Sequence, residues 1–327
     1  MAVSLVVLFF ISLFLGRYPL SPNEVIKILA SKFIPLQQPW DATAEAVIWK
    51  VRVPRLTAAL LVGSGLSISG ASFQGLFRNA LVSPHILGVA AGAGFGASVA
   101  ILLLEDPFLV QLAAFVFGLL AVVVTFYISR VYKESNTLVL VLSGIIVGAL
   151  FTALISLIKY VADPFDTLPA IVFWLMGSLA SVSNKELSVV ILPMSLGIIV
   201  LLLIRWKINI LSMGEKEAKA MGVNTNRLMA VIIVCSTMIT ASAVCISGII
   251  GWVGLVIPHF SRMIVGPDHK ALLPASLLLG ALYLLAIDDC ARMLISTEIP
   301  LRILTAIVGA PFFAFLLRKS KVGWSRS

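Results

Sequence analysis

The chain has 327 residues, of which 60% are hydrophobic and only 12% charged, and its mean hydropathy is +1.08. A soluble domain carries roughly 25% charged residues, so there is too little polar surface here for a water-exposed globule, and lipid is the solvent for most of the exterior. The net charge of +9 does not mark a nucleic-acid binder, because Lys and Arg stand at the ends of apolar runs, where they anchor helices and set orientation.

A spanning helix needs about 20 apolar residues. Apolar runs predict ten spans, near 1–15, 56–76, 86–104, 108–129, 137–160, 187–204, 228–247, 249–265, 272–290 and 301–318. The run from Met1 to Leu15 has no basic start and no small-residue cleavage pattern before Arg17, so it reads as a short first span and not as a cleaved signal peptide. The run at 249–265 is short and rich in Gly and Pro. Ile171 to Leu179 is too short to span and reads as a re-entrant or surface helix. No long hydrophilic stretch interrupts the pattern, so residues 1–327 form one all-α polytopic membrane domain.

With the N-terminus inside, Lys and Arg favour the cytoplasmic loops once the first loop is set aside. That loop holds Arg17, Lys27, Lys32, Lys50, Arg52 and Arg55 on the outside. A local breach of the rule points to function. A faint internal repeat also appears: Arg55-Leu56, Ile68-Ser69-Gly70 and Pro84-His85 are echoed by Arg227-Leu228, Ile246-Ser247-Gly248 and Pro258-His259. An odd number of spans separates the two units, which makes the repeat inverted, as in many transporters.

Several residues invite a functional reading beside a plain one. Gly214 to Val223 is the most polar stretch of the second half, with Glu215 and Lys219 at i, i+4 spacing and Gly222 placed to end a helix. It is either a solvated loop helix or a docking helix for a cytosolic partner. Arg52 and Arg55 flank Val53-Pro54 at the outer mouth of the second span. They are either snorkelling anchors or a cationic patch that Arg292 joins. Asp288 and Asp289 lie one turn before Arg292. The i, i+4 spacing of Asp288 and Arg292 favours a structural pair over a proton relay. His85 and His259 are isolated and make no metal site, and Cys235, Cys245 and Cys290 have neither disulfide nor zinc spacing. No G-x-x-x-x-G-K-[ST] pattern occurs, so the chain has no P-loop for ATP.

Longer segments carry a family likeness. Arg52-Val53-Pro54-Arg55, Gln74-Gly75-Leu76-Phe77-Arg78-Asn79-Ala80-Leu81 and Pro84-His85-Ile86-Leu87-Gly88-Val89 resemble the first signature of type II ABC importer permeases, the FecCD-like family serving iron-siderophores, haem and cobalamin. Trp174 to Leu179, Gly251 to Arg262, and Gly309-Ala310-Pro311-Phe312-Phe313 resemble the later signatures, in order, over nearly the whole chain. Ala80 stands where the family usually has Pro, and Leu301-Arg302 follows Pro300 where Pro-x-Gly is usual.

The resemblance implies the type II permease fold: a homodimer of ten-helix subunits around one pathway, in the prokaryotic plasma (inner) membrane. It implies two cytosolic ATPase subunits carrying ATP and Mg, a substrate-binding protein outside, no cofactor or metal in this chain, and no catalysis by it. By likeness of position, Gly214, Glu215, Ala218, Gly222 and Val223 belong to the ATPase-coupling segment. Asn79, Leu81, Asn136 and Thr137 belong to the inner gate. Arg52, Arg55 and Arg292 are posts for acidic groups of the binding protein. Import is then by alternating access. An ion-coupled secondary transporter is the alternative, and it would need an acid deep in the membrane, for which only Asp288 and Asp289 qualify. A non-transporting membrane scaffold is a further rival.

Overall fold

The computed structural model describes residues 1–32, 34, 40–104, 106–130 and 137–320, and every regular element among them is helical. In chain order these are α1 (Ala2–Phe14), α2 (Pro22–Ala30), α3 (Ala42–Ala46), α4 (Val53–Phe77), α5 (Val89–Leu103), α6 (Pro107–Ser129), α7 (Thr137–Val161) and α8 (Thr167–Met176). They continue as α9 (Asn184–Leu203), α10 (Arg205–Met213), α11 (Glu215–Ala220), α12 (Thr225–Ser247), α13 (Val253–Val265), α14 (His269–Met293) and α15 (Leu301–Ser320). A π-helical turn, Val47–Arg52, joins α3 to α4, and a 3₁₀ turn, Pro84–Leu87, precedes α5. Pro54 lacks an N–H, and the widened turn just before it keeps the helix continuous past that gap.

Among the described residues, six stretches are long and apolar enough to cross a membrane: Ala42–Phe77, Pro107–Ser129, Thr137–Val161, Asn184–Leu203, Thr225–Ser247 and His269–Met293. The chain is a multi-pass membrane protein. The remaining four predicted runs fall on the shorter apolar helices α1, α5, α13 and α15, and Ile171 to Leu179 falls on α8 and the turn after it. Sequence patterning did not anticipate α2, α3 or α10, which are short and mixed in character.

The organising element is α4, which is buried over nearly its whole length and packs against α9, α12, α13 and α14. Burying a helix on all sides requires small residues where its neighbours cross. A Cβ on Gly63 would lie 2.2 Å from Gly280 O of α14, and one on Gly70 would lie 1.8 Å from Gly254 O of α13. At both crossings the backbones touch directly, the close packing that small residues permit between membrane helices.

The two halves also grip each other. His85 Nε2 lies 3.1 Å from Ile250 O, just beyond the end of α12, while His259 Nε2 lies 2.8 Å from Ala80 O, just beyond the end of α4. Each histidine of one unit thus meets the backbone that follows the long helix of the other. The inverted repeat suggested by the sequence is present here as a reciprocal contact.

Candidate functional site

Three regions carry the polar chemistry. At the outer end, Arg52, Arg55 and Arg292 meet Asp288, Asp289 and Glu298. Arg55 on α4 donates from Nε to Asp288 Oδ2 at 2.9 Å and from Nη2 to Asp288 Oδ1 at 2.8 Å, and its Nη1 pairs with Glu298. Arg292 pairs with Asp289 and donates to Leu15 O at 3.0 Å and Ser12 O at 2.9 Å. Ser12 in turn donates to Asp289 Oδ2 at 2.6 Å. Arg52 has no acidic partner among the described residues; it donates to the backbone oxygens of Leu13 at 2.6 Å and Tyr18 at 2.5 Å. Three cations and three anions therefore share one site, which ties α1, α4, α14 and the segment before α15 together.

This arrangement occupies the three arginines within the chain. They are 3%, 7% and 6% exposed, and each is committed to groups of its own chain. A cation in apolar surroundings must be paired or bonded internally, so these side chains are not free posts. Exposed outer cations include Arg17, Lys27, Lys32, Lys50, Lys185 and Arg302. Asp288 has the i, i+4 ion pair with Arg292 that the spacing suggested, Nε lying 3.9 Å away, and Arg55 binds both of its oxygens more closely. Asp288 and Asp289 are thus both bound to arginine, which disfavours the proton-carrying role that an ion-coupled transporter requires.

At the opposite end of α4, the helix closes on Arg78, whose φ of 48° is left-handed. Asn79 and Leu81 then form one exposed turn, the Leu81 N–H donating to Asn79 Oδ1 at 2.9 Å. Ala80 O is the group held by His259. Thr137 is half-buried at the start of α7, the helix whose Gly144 packs under Ile86 O of the 3₁₀ turn. Asn136 lies outside the described residues. The structure therefore brings Asn79 and Leu81 together in one turn, and places Thr137 on a helix that packs against the segment following it.

The polar segment of the second half is a short helix between two glycines. Gly214, with φ of 152°, turns the chain out of α10 into α11, and Gly222, with φ of 79°, turns it towards α12. A Cβ on Gly214 would lie 1.8 Å from Glu217 Oε2. Lys219 Nζ lies 2.8 Å from Glu215 Oε1, and this hydrogen bond holds the Glu215 carboxyl below its ordinary range. Ala218 is fully buried and Val223 packs on the core, whereas Lys216, Glu217, Ala220 and Met221 are exposed. The face offered outward is thus not the one carrying Ala218.

Patterning missed what lies beneath. Asn209 on α10 accepts from the backbone N of His269 at 3.0 Å, and its Oδ1 is 3.3 Å from His269 Nδ1. A Cβ on Gly75 would lie 2.5 Å from His269 Nε2. Helices α10, α14 and α4 therefore meet at one histidine, a few residues from Gly214. Next to it, Arg262 donates to Gln74 Oε1 at 3.2 Å. A lone Asn close before the polar segment was the only sequence signal. Glu298 was similarly a lone acid whose partner sequence spacing does not reveal.

Known proteins share this architecture. The FecCD transport family model matches residues 4–319. The molybdate import permease of Haemophilus influenzae is 44% identical over 98% of this chain and 94% of its own length. A probable iron chelatin permease of Helicobacter pylori is 40% identical over 84% of this chain and 83% of its own. The cobalamin import permease of Halobacterium salinarum is 39% identical over 88% of this chain and 78% of its own. A solved structure described as a metal-chelate type ABC transporter in an inward-facing conformation superposes with a TM-score of 0.87, at 43% identity and 97% coverage of both chains. With its buried α4, its reciprocal halves and its glycine-flanked α11, this chain belongs to the FecCD transport family and is an ABC importer permease.

Proposed function

We propose that two copies of this chain form the pathway of an ATP-driven importer in the prokaryotic inner membrane, with ATP and Mg held by two partner ATPase subunits that seat on α11. The observation that carries this reading is the connection from α11 through α10 to His269, where α10, α14 and α4 converge. A partner can shift a conformational equilibrium only by binding its states differently. An ATPase that moves α11 pulls on α10 and hence on the cytoplasmic ends of α4 and α14. The Asn79–Leu81 turn at the end of α4 then opens or closes the inner mouth, and Thr137 borders that mouth.

The cargo is a metal-containing solute delivered by an external binding protein, and an iron chelate, haem or cobalamin fits the family. A metal oxyanion is the second reading, favoured by the 44% identity to the molybdate permease. The test is uptake into proteoliposomes holding the whole transporter, with iron chelate, cobalamin, haem and molybdate offered in turn and metal counted inside. Uptake that needs ATP and survives collapse of ion gradients supports the reading. Uptake that persists without the ATPase sinks it.

A further inference from the structure

A cleft of about 530 Å³ opens at the outer end of the bundle, among α5, α6, α8, α9 and α12. Ser178 on its wall donates to Glu298 and so places it beside the arginine cluster. Two carboxylates line it, Asp166 and Glu186. So does Gln111, which is 4% exposed and whose Oε1 has no hydrogen-bond partner among the described residues. The Gln111 amide N donates to Glu186 O at 3.4 Å, and the neighbouring Cys245 thiol donates to Ser242 O at 3.1 Å, so neither serves that oxygen. A buried acceptor left bare costs roughly 1–3 kcal/mol, which points to a donor supplied from outside the chain.

The cleft does not end at Gln111. A second slot of about 110 Å³ shares Gln111 and Cys245 with it and runs between α6 and α9 over α12. Its walls include Phe108, Leu112 and Val189, all apolar and exposed. Lys185 stands over the Phe108 ring, 5.5 Å from its centroid. A polar, acidic cleft thus continues into an apolar slot with the Lys185 cation at its mouth.

We propose that this composite site holds one phospholipid with a primary-amine headgroup. The ammonium sits among Glu186, Asp166 and Gln111 Oε1, the phosphate meets Lys185, and one acyl chain enters the slot between α6 and α9. A primary ammonium has three N–H donors for those three acceptors. A trimethylated headgroup has none, and a glycerol headgroup leaves the phosphate charge unbalanced beside two carboxylates. The site lies apart from α11 and from the inner mouth, so it stands whatever the cargo.

The experiment is native mass spectrometry of the assembled transporter, delipidated and then titrated with phosphatidylethanolamine, phosphatidylcholine or phosphatidylglycerol of matched chains. Phosphatidylethanolamine is expected to be retained about tenfold more tightly than the other two, the scale of one charge-assisted contact. Glu186→Gln removes the charge but keeps a residue able to close the capping box with Ser183. It is expected to abolish that preference at unchanged melting temperature, and Gln111→Leu to weaken it. Equal retention of the three lipids by the wild type, or an unchanged preference in folded Glu186→Gln, overturns the proposal.

Discussion

Arg55 and Asp288 are joined side-on by two short hydrogen bonds, 2.9 Å and 2.8 Å, across 233 residues of sequence. Asp288 is wholly buried, so its charge depends on this partner. Removing one member of a buried pair costs about 3–5 kcal/mol, whereas replacing both with apolar groups is often neutral. Arg55→Ala should therefore lower the melting temperature sharply, and Arg55→Met combined with Asp288→Leu should recover much of the loss. Thermal unfolding in detergent distinguishes these, and a stable single variant would mean that the pair does not hold α4 to α14.

Asn209 is expected to act on coupling through His269. Asn209→Ala should reduce cargo moved per ATP severalfold, the scale of about 1 kcal/mol for one hydrogen bond, while ATP hydrolysis continues. Asn209→Asp keeps the acceptor for His269 and should restore most of the ratio. A purely structural role would lower both activities together, leaving their ratio unchanged.

On α11, burial separates two kinds of variant. Met221→Glu places a charge on the exposed face and should weaken ATPase binding in a folded protein. Ala218→Glu buries a charge where no space exists, and should lower expression instead. Lowering of the Glu215 carboxyl by Lys219 means that their pairing is intact above the ordinary carboxylate range and is lost as pH falls through the lowered value. Coupling should thus be flat from about pH 5 to 8 as far as this pair is concerned. Co-purification of the ATPase across that range checks both statements.

The Asn79–Leu81 turn is exposed and unencumbered by ion pairs. With Leu81→Cys in both copies, disulfide formation across the pathway should depend on nucleotide. Cross-linking at the same rate with and without ATP would remove the turn from the gate.

Docking of the binding protein should now be sought at the exposed outer cations. Lys50→Glu with Arg302→Glu is expected to slow association and flatten its salt dependence, the usual mark of rim charges. Reversal of Arg52 or Arg55 instead breaks internal bonds and should unfold the outer end. Binding kinetics at two ionic strengths in nanodiscs give the answer, and an unaltered salt dependence in the first variant excludes those two residues.

The spans were legible because hydropathy and length alone decide them, and the helix ends fall close to the apolar limits: the run at 137–160 became Thr137–Val161, and that at 108–129 became Pro107–Ser129. The polar segment after Gly214 was legible for the opposite reason, being charged in an apolar half. Partners were not legible. Arg55 sits near Arg52 in sequence but finds Asp288 and Glu298, because α4 lies against α14 and that neighbour is fixed by the Gly63–Gly280 crossing and not by spacing. Ala218 likewise looked like one more member of a polar helix, and only its packing shows that it points inward.

The outer cluster also orders events during synthesis. The carbonyls that satisfy Arg52 belong to Leu13 and Tyr18, which leave the ribosome before it. The acids that satisfy Arg55 come 233 and 243 residues after it. At about 5–20 residues per second, a nascent chain carries an unmatched arginine at the end of its central helix for roughly 10–50 seconds. A chain cut before Asp288 carries it permanently. The same salt bridge that ends as a fastener in the finished protein thus begins as a vacancy that only a chain reaching past Glu298 fills completely.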